Sequence, residues 1–219
     1  MNSNVHIRKF CGSDREAVRQ LCCDTGFLGQ PIDPVFEDRE LFANYLTRYY
    51  TDAEPEAAFV VEKDGVVRGY LLGSRRPFRQ QLFNTFNNLS LLAKGLVRYR
   101  RYNEASRKFV RWILTQAWRE VPAAPRRTAH FHFNVMPDAR SLKTMRELTS
   151  QYFNFLRAHG ETQVFGQIVA FDGRRGAALF ERHGFTVLNR AEITKYRDVH
   201  PGKVFLCTVM KELGEAGSD

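Results

Sequence analysis

The sequence predicts an α/β protein with a mixed β-sheet and helices on its faces, and three observations carry that prediction. Residues 57 to 63 and 66 to 73 are two β-rich runs joined by Asp64-Gly65, a strong short hairpin signal. Residues 128 to 136 alternate strictly, with Phe131, Phe133 and Val135 on one face and His130, His132 and Asn134 on the other. From residue 130 to 170 a strand, a helix and a strand follow one another, which implies a right-handed parallel crossover. A cofactor site is then expected at the carboxyl ends of those strands.

The remaining elements follow in order. Val5, Ile7 and Lys9 alternate against His6, Arg8 and Phe10, a short strand that ends at Gly12. Ser13 with Glu16 three residues on predicts a capping box, and Ala17, Val18, Leu21 and Cys22 give the helix behind it an apolar stripe. Gly26 to Pro34 breaks the pattern, after which Phe42, Tyr45, Leu46 and Tyr49 recur at helical spacing. From Phe78 to Glu120 the chain reads as helical, with a break near Tyr102-Asn103. Pro137 stops the strand at 128 to 136. Met145, Leu148, Tyr152, Phe155 and Leu156 then mark a helix ending near Gly160. Val164 to Phe171 reads as strand, Gly173 to His183 as helix, and Phe185 to Leu188 and Val204 to Val209 as the last strands.

Composition bounds the rest. At 219 residues the expectation is one domain over 1–219, with 78–127 as a basic helical insertion within it. Hydrophobic residues at 43% and aromatics at 13% exclude a disordered chain. No run of 18 apolar residues occurs, so no transmembrane segment is predicted and a soluble, cytoplasmic protein is expected. Cys11, Cys22, Cys23 and Cys207 lack metal-ligand spacing, so no metal is expected and buried free thiols are. The net charge of +9 favours an anionic partner. Much of it sits between Lys94 and Arg127, where ten Lys or Arg stand against Glu104 and Glu120.

Three stretches carry a family resemblance. They are His132-Phe133-Asn134-Val135-Met136-Pro137, Arg140-Ser141-Leu142-Lys143-Thr144-Met145, and Ala178-Leu179-Phe180-Glu181-Arg182-His183-Gly184-Phe185. In this order they resemble the central strand with its V-x-P bulge, the pyrophosphate loop, and the final helix with its Gly-Phe exit of the GNAT superfamily of N-acetyltransferases. The resemblance spans about residues 5 to 211 apart from the insert. It implies a mixed, mostly antiparallel central sheet flanked by helices, with a helical insertion between the third and fourth strands. It also implies acetyl-CoA or another acyl-CoA as co-substrate and an amine, small or part of a larger molecule, as acceptor. An acidic acceptor would suit the basic insert, and a homodimer is left open.

The family's loop reads Gln or Arg, x, x, Gly, x, Gly or Ala, because backbone N–H groups at a helix N-terminus approach the phosphates. Here Arg140 fits the first position, while Lys143 and Met145 replace the small residues. Either Arg140 and Lys143 supply cationic contacts, or the side chains fill the site and exclude CoA. The implied cofactor-binding set is Asn134, Val135, Met136, Arg140, Ser141, Leu142, Lys143, Thr144, Met145 and Phe180. Carbonyl polarisation falls to backbone N–H groups near Val135 and Met136. His132 and His130, on what reads as the non-core face of their strand, are candidate bases because imidazole titrates near neutral pH, with Glu62 as a third. Phe180 stands where the family often has an acidic Tyr, so Tyr152 and Tyr196 are the substitutes to check.

The alternative is a catalytically inactive module of the same fold, whose basic insert binds an anionic partner. Phe109, Trp112 and Trp118 among cations resemble a nucleic-acid surface, but Phe109, Ile113 and Ala117 recur near helical spacing, which favours a buried face with solvated cations. A membrane-surface protein draws on the same stretch, through Leu89, Leu91, Leu92, Leu96 and Val97.

Overall fold

The computed structural model describes residues 4–171 and 180–214. Its strands are β1 (Val5–Lys9), β2 (Ala58–Lys63), β3 (Val66–Ser74), β4 (Ala129–Val135), β5 (Gln163–Phe171), β6 (Thr186–Glu192) and β7 (Val204–Glu212). Its helices are α1 (Arg15–Asp24), α2 (Arg39–Asp52), α3 (Pro77–Arg98), α4 (Glu104–Thr115), α5 (Ala117–Glu120) and α6 (Leu142–Ala158). The strands form one sheet in the order β1-β2-β3-β4-β5-β7-β6. Every pairing is antiparallel except β4 with β5, which α6 joins as the expected crossover. Of the helix expected over Gly173 to His183, only the end falls within the described residues; Ala178 and Leu179 lie outside them.

Local chemistry explains the joints. Asp64 and Gly65 both take positive φ, 51° and 80°, the backbone a tight hairpin requires. Pro77 opens α3, where its missing N–H costs nothing. Ser13 does not cap α1. The cap sits earlier, in the short turn Gly12–Asp14, where the Asp14 carboxylate accepts from the Cys11 amide. Arg8 grips the same carboxylate through both terminal nitrogens and holds its pKa down at about 2. Gly184, at φ 72°, stops the last helical stretch. The Phe185 amide donates to the Phe180 carbonyl and the Gly184 amide to that of Glu181, the Schellman pattern.

The sheet is covered on both faces, which is why β2 and β3 read as runs of hydrophobics rather than alternating ones. On one face α1, α2 and α3 pack Val18, Cys22, Phe42 and Tyr49 against Val60, Tyr70 and Leu72. On the other, α6 lays Leu148, Tyr152 and Leu156 on Val61, Leu71, Phe131 and Val135. Gly73 is required here, because a Cβ would run into the Tyr152 ring and hydroxyl. The face of β4 bearing His130, His132 and Asn134 is partly covered as well, by Tyr50 of α2 and Gln80 of α3, and the three residues are half-buried, so the expectation of a non-core face holds only in part. Of the four free cysteines, Cys22, Cys23 and Cys207 are buried as expected and Cys11 is exposed.

Candidate functional site

The two parallel strands pair over only three residues, Ala129 to Phe131 against Val164 to Gly166, and then part. Beyond that point β4 runs on to Val135 and β5 to Phe171 with no ladder between them. Which backbone groups face the gap follows from the other edge of β4. The Met136 amide donates to the Arg68 carbonyl across the β3 side at 2.8 Å. Alternation then turns the amides of Phe133 and Val135 toward the gap, where the parallel ladder has ended. The expectation that Met136 also offers its N–H there is corrected, since that donor is engaged.

Past β4 the chain turns sharply into α6. Asp138 is clamped by Lys63 at 3.1 Å and Arg68 at 3.0 Å, which fixes the turn, and Ala139 is buried beneath it. Ser141 caps α6, its Oγ accepting from the Thr144 amide at 3.0 Å. That leaves the Leu142 and Lys143 amides as the unbonded donors of the first turn. Thr144 is buried and Met145 packs into the core under α6, so neither intrudes on the turn. Arg140, Lys143 and Arg146 are exposed around it. No acidic residue lies in this turn, so the helix dipole and three cations act together.

The imidazoles are not poised near neutral pH. His130 Nε2 accepts from the Tyr50 hydroxyl at 2.8 Å and lies 3.0 Å from Gln80 Nε2. Burial pushes His130 down to about 4, and burial with the neighbouring His130 pushes His132 down to about 3. His132 Nε2 is enclosed without a hydrogen-bond partner, its ring edge-on to Tyr50 and Tyr70. Asn134 donates to the Tyr70 hydroxyl on the same face. Burial therefore favours the neutral form of both rings, which argues against either as a base titrating near pH 7.

The other candidates are placed elsewhere. Glu62 accepts from Arg8 Nε at 2.8 Å and stands 3.5 Å from His6, on β2 and two strands from β4. Tyr152 donates its hydroxyl to the His130 carbonyl at 2.8 Å, and Tyr196 is buried against Phe27, so neither is free to serve as an acid. Phe180 packs with Phe185 and Phe205 near Cys207 and Val209, beside β5 and β7.

Sequence reasoning missed a pocket of about 260 Å³ between α4 and the segment 194–199 that joins β6 to β7. Phe109 and Trp112 form its aromatic wall, stacked at 6.2 Å. The Lys195 ammonium stands over Phe109, Trp112 and Tyr196 at 5.4, 5.0 and 4.8 Å, and among the described residues it has no carboxylate partner. Lys108, by contrast, is paired with Asp198 at 2.8 Å. Glu120 ties the two sides together, accepting from the Trp112 indole at 2.6 Å and from the Thr194 amide at 2.7 Å. Phe109 and Tyr196 belong to the same broad packed cluster as Met136 and Phe171, the residues at the far ends of the gap. No linear spacing joins residues 109–112 to 194–199. Ile113 and Trp118, expected on a buried face with Phe109, are exposed instead.

Comparison with known proteins places this architecture. No protein-family model matches the chain, and no curated protein does. Solved structures do. The crystal structure of SsHAT matches with a TM-score of 0.60 at 23% identity, over 97% of this chain and 100% of that one. The chain has the GNAT fold. A putative acetyltransferase, yncA from Salmonella typhimurium, solved with its cofactor acetyl-CoA, matches at 0.55 and 16% identity over 98% and 96% of the two chains. The polyamine N acetyltransferase of Drosophila melanogaster, which forms N acetylagmatine, matches at 0.53 and 14% over 95% and 100%.

Proposed function

We propose that the protein is an acyl-CoA-dependent N-acyltransferase that passes an acetyl or other acyl group to an amine by direct attack. The observation that carries this reading is the gap between β4 and β5, with the Phe133 and Val135 amides turned into it. Acyl-CoA would supply the thioester whose carbonyl accepts the amine. The chain's own groups fit such a donor: extended amide-bearing substrate can pair with the free edge of β4, and the Val135 N–H would polarise a carbonyl lying against that edge. The Leu142 and Lys143 amides, with Arg140, Lys143 and Arg146 around them, suit a pyrophosphate. Lys143 is exposed at the turn, which supports the cationic of the two outcomes expected for the altered loop.

The acceptor would enter through the pocket between α4 and residues 194–199. Its unpaired Lys195 suits an acceptor carrying a carboxylate or other acidic group, and its ring faces suit an apolar body. The amine's proton leaves to water. Phe180 supplies no acid. A thiolate of pKa about 8.5 is a tolerable leaving group without one, so turnover is slowed rather than forbidden.

Calorimetric titration with acetyl-CoA, followed by a thiol-release assay over a panel of amines, tests this reading. Micromolar binding and amine-dependent release of CoA are expected. A protein that shows no heat with acetyl-CoA and gains none on Lys143→Gly is not an acyl-CoA enzyme.

A further inference from the structure

We propose that α3 is a docking surface for an anionic lipid bilayer. The helix has two apolar sides. One faces inward through Asn87, Leu91 and Gly95, with Phe83 against the core and Gln80 bonded to Tyr50 and His130. The other faces away from the protein. Phe78, Leu82, Phe86, Leu89, Leu92 and Leu96 recur at three- and four-residue spacing on the side away from Asn87, with Val97 at their edge, and all are exposed, Phe78 at 80%, Phe86 at 68% and Val97 at 84%. Large side chains scattered singly on a surface need no explanation, but such a stripe along a 22-residue helix does. Such a helix is about 33 Å long, so the stripe spans the width of the domain.

Charge selects the occupant. From Pro77 to Asn103 the chain holds Arg79, Lys94, Arg98, Arg100 and Arg101 and not one Asp or Glu. Arg98 is spent on Asp38 and Glu40, whereas Arg79, Lys94, Arg100 and Arg101 are exposed. A second copy laid on the same stripe would bring two wholly basic segments together. A bilayer of anionic lipid answers both features, taking the apolar side chains into its interface and pairing the cations with headgroups. No helix of the described residues is long and apolar enough to cross a membrane, so α3 would lie along the surface. This inference is independent of the acyltransfer reading, since it rests on the outer side of α3 alone.

The test is flotation of the full chain with vesicles of neutral phosphatidylcholine, alone or with about a third phosphatidylglycerol. The protein is expected to float with the anionic vesicles and stay behind with the neutral ones. Phe86→Glu with Leu89→Glu, both at exposed positions, and separately Arg100→Glu with Arg101→Glu, should each weaken flotation at least about tenfold while the melting temperature holds. Absence of flotation with anionic vesicles at low salt overturns the proposal. So does flotation that the Phe86/Leu89 pair leaves unchanged, which would mean diffuse charge attraction only. A stable dimer in light scattering that the same pair converts to monomer would assign the stripe to a second copy and overturn it as well.

Discussion

The Met136 amide donates to the Arg68 carbonyl at 2.8 Å, and this bond sets the phase of β4. Because even-numbered residues of β4 bond to β3, the odd-numbered Phe133 and Val135 aim their amides into the gap. Val135→Pro removes one of those donors without touching the β3 ladder, and a strand tolerates proline where its N–H is not part of a ladder. Val135→Ala is the control, since it loses the same packing and keeps the amide. We expect Val135→Pro to lower kcat about 10²-fold or more beyond Val135→Ala, the usual cost of one lost oxyanion donor. Equal kcat in the two variants would remove Val135 from the mechanism.

The depressed imidazoles make two pH predictions. Above about pH 6.5 His130 is neutral whether the chain is folded or not. Between there and about 4 only the unfolded chain takes the proton, so stability falls as pH falls through that window. The loss from this one group is at most on the order of 3 kcal/mol. His130→Gln, which keeps an acceptor for Tyr50, should flatten the dependence of the denaturation midpoint on pH between about 6.5 and 4. In the rate, no limb from His132 is expected: kcat/KM should rise with the acceptor amine's own ionisation, and His132→Ala should leave the midpoint of that rise unmoved. A midpoint near 6.5 that vanishes in His132→Ala would restore it as the base.

Lys143 was the doubtful residue of the α6 turn, and its exposure turns the doubt into a direction. If its cation replaces part of a glycine cradle, Lys143→Gly should weaken acetyl-CoA binding by roughly threefold to tenfold, more at low salt than at high. It also places a glycine inside a helix, at about 1 kcal/mol in stability, which the melting temperature will register. Tighter binding in Lys143→Gly would mean the side chain obstructs the phosphates.

How far these conclusions were legible beforehand depends on the range of the interactions that determine them. The hairpin at Asp64-Gly65, the alternation of β4, the helix of Met145 to Leu156 and the Gly184 exit are local patterns, and each is where the sequence put it. The alternation of β4 misled about burial, because period two separates the faces of a strand without saying that both are covered. His130 and His132 looked available only on that account. Glu62 could not be discounted until Arg8, 54 positions away, was seen to hold it. The pocket joins residues 109–112 to 194–199 through Glu120, a relation no window along the chain contains. The apolar side of α3 was visible as a basic amphipathic stretch, but not which of its leucines turn inward; Leu91 does and Leu89 does not.

Glu120 gives the sharpest test of the pocket. One carboxylate oxygen accepts from both the Trp112 indole and the Thr194 amide, and the other from the Thr194 hydroxyl at 2.7 Å. Removing it leaves three donors unpaired and frees the 194–199 segment from α4, while nothing at the β4 gap or the α6 turn is disturbed. Glu120→Ala should therefore raise the acceptor KM about tenfold or more, with kcat and acetyl-CoA affinity within about threefold of the parent. In a Trp118→Phe background, where Trp112 is the remaining tryptophan, the same change should shift the emission to longer wavelength as the indole loses its acceptor and gains water. An unchanged acceptor KM alongside a shifted emission would show that the pocket opened and that the acceptor does not use it.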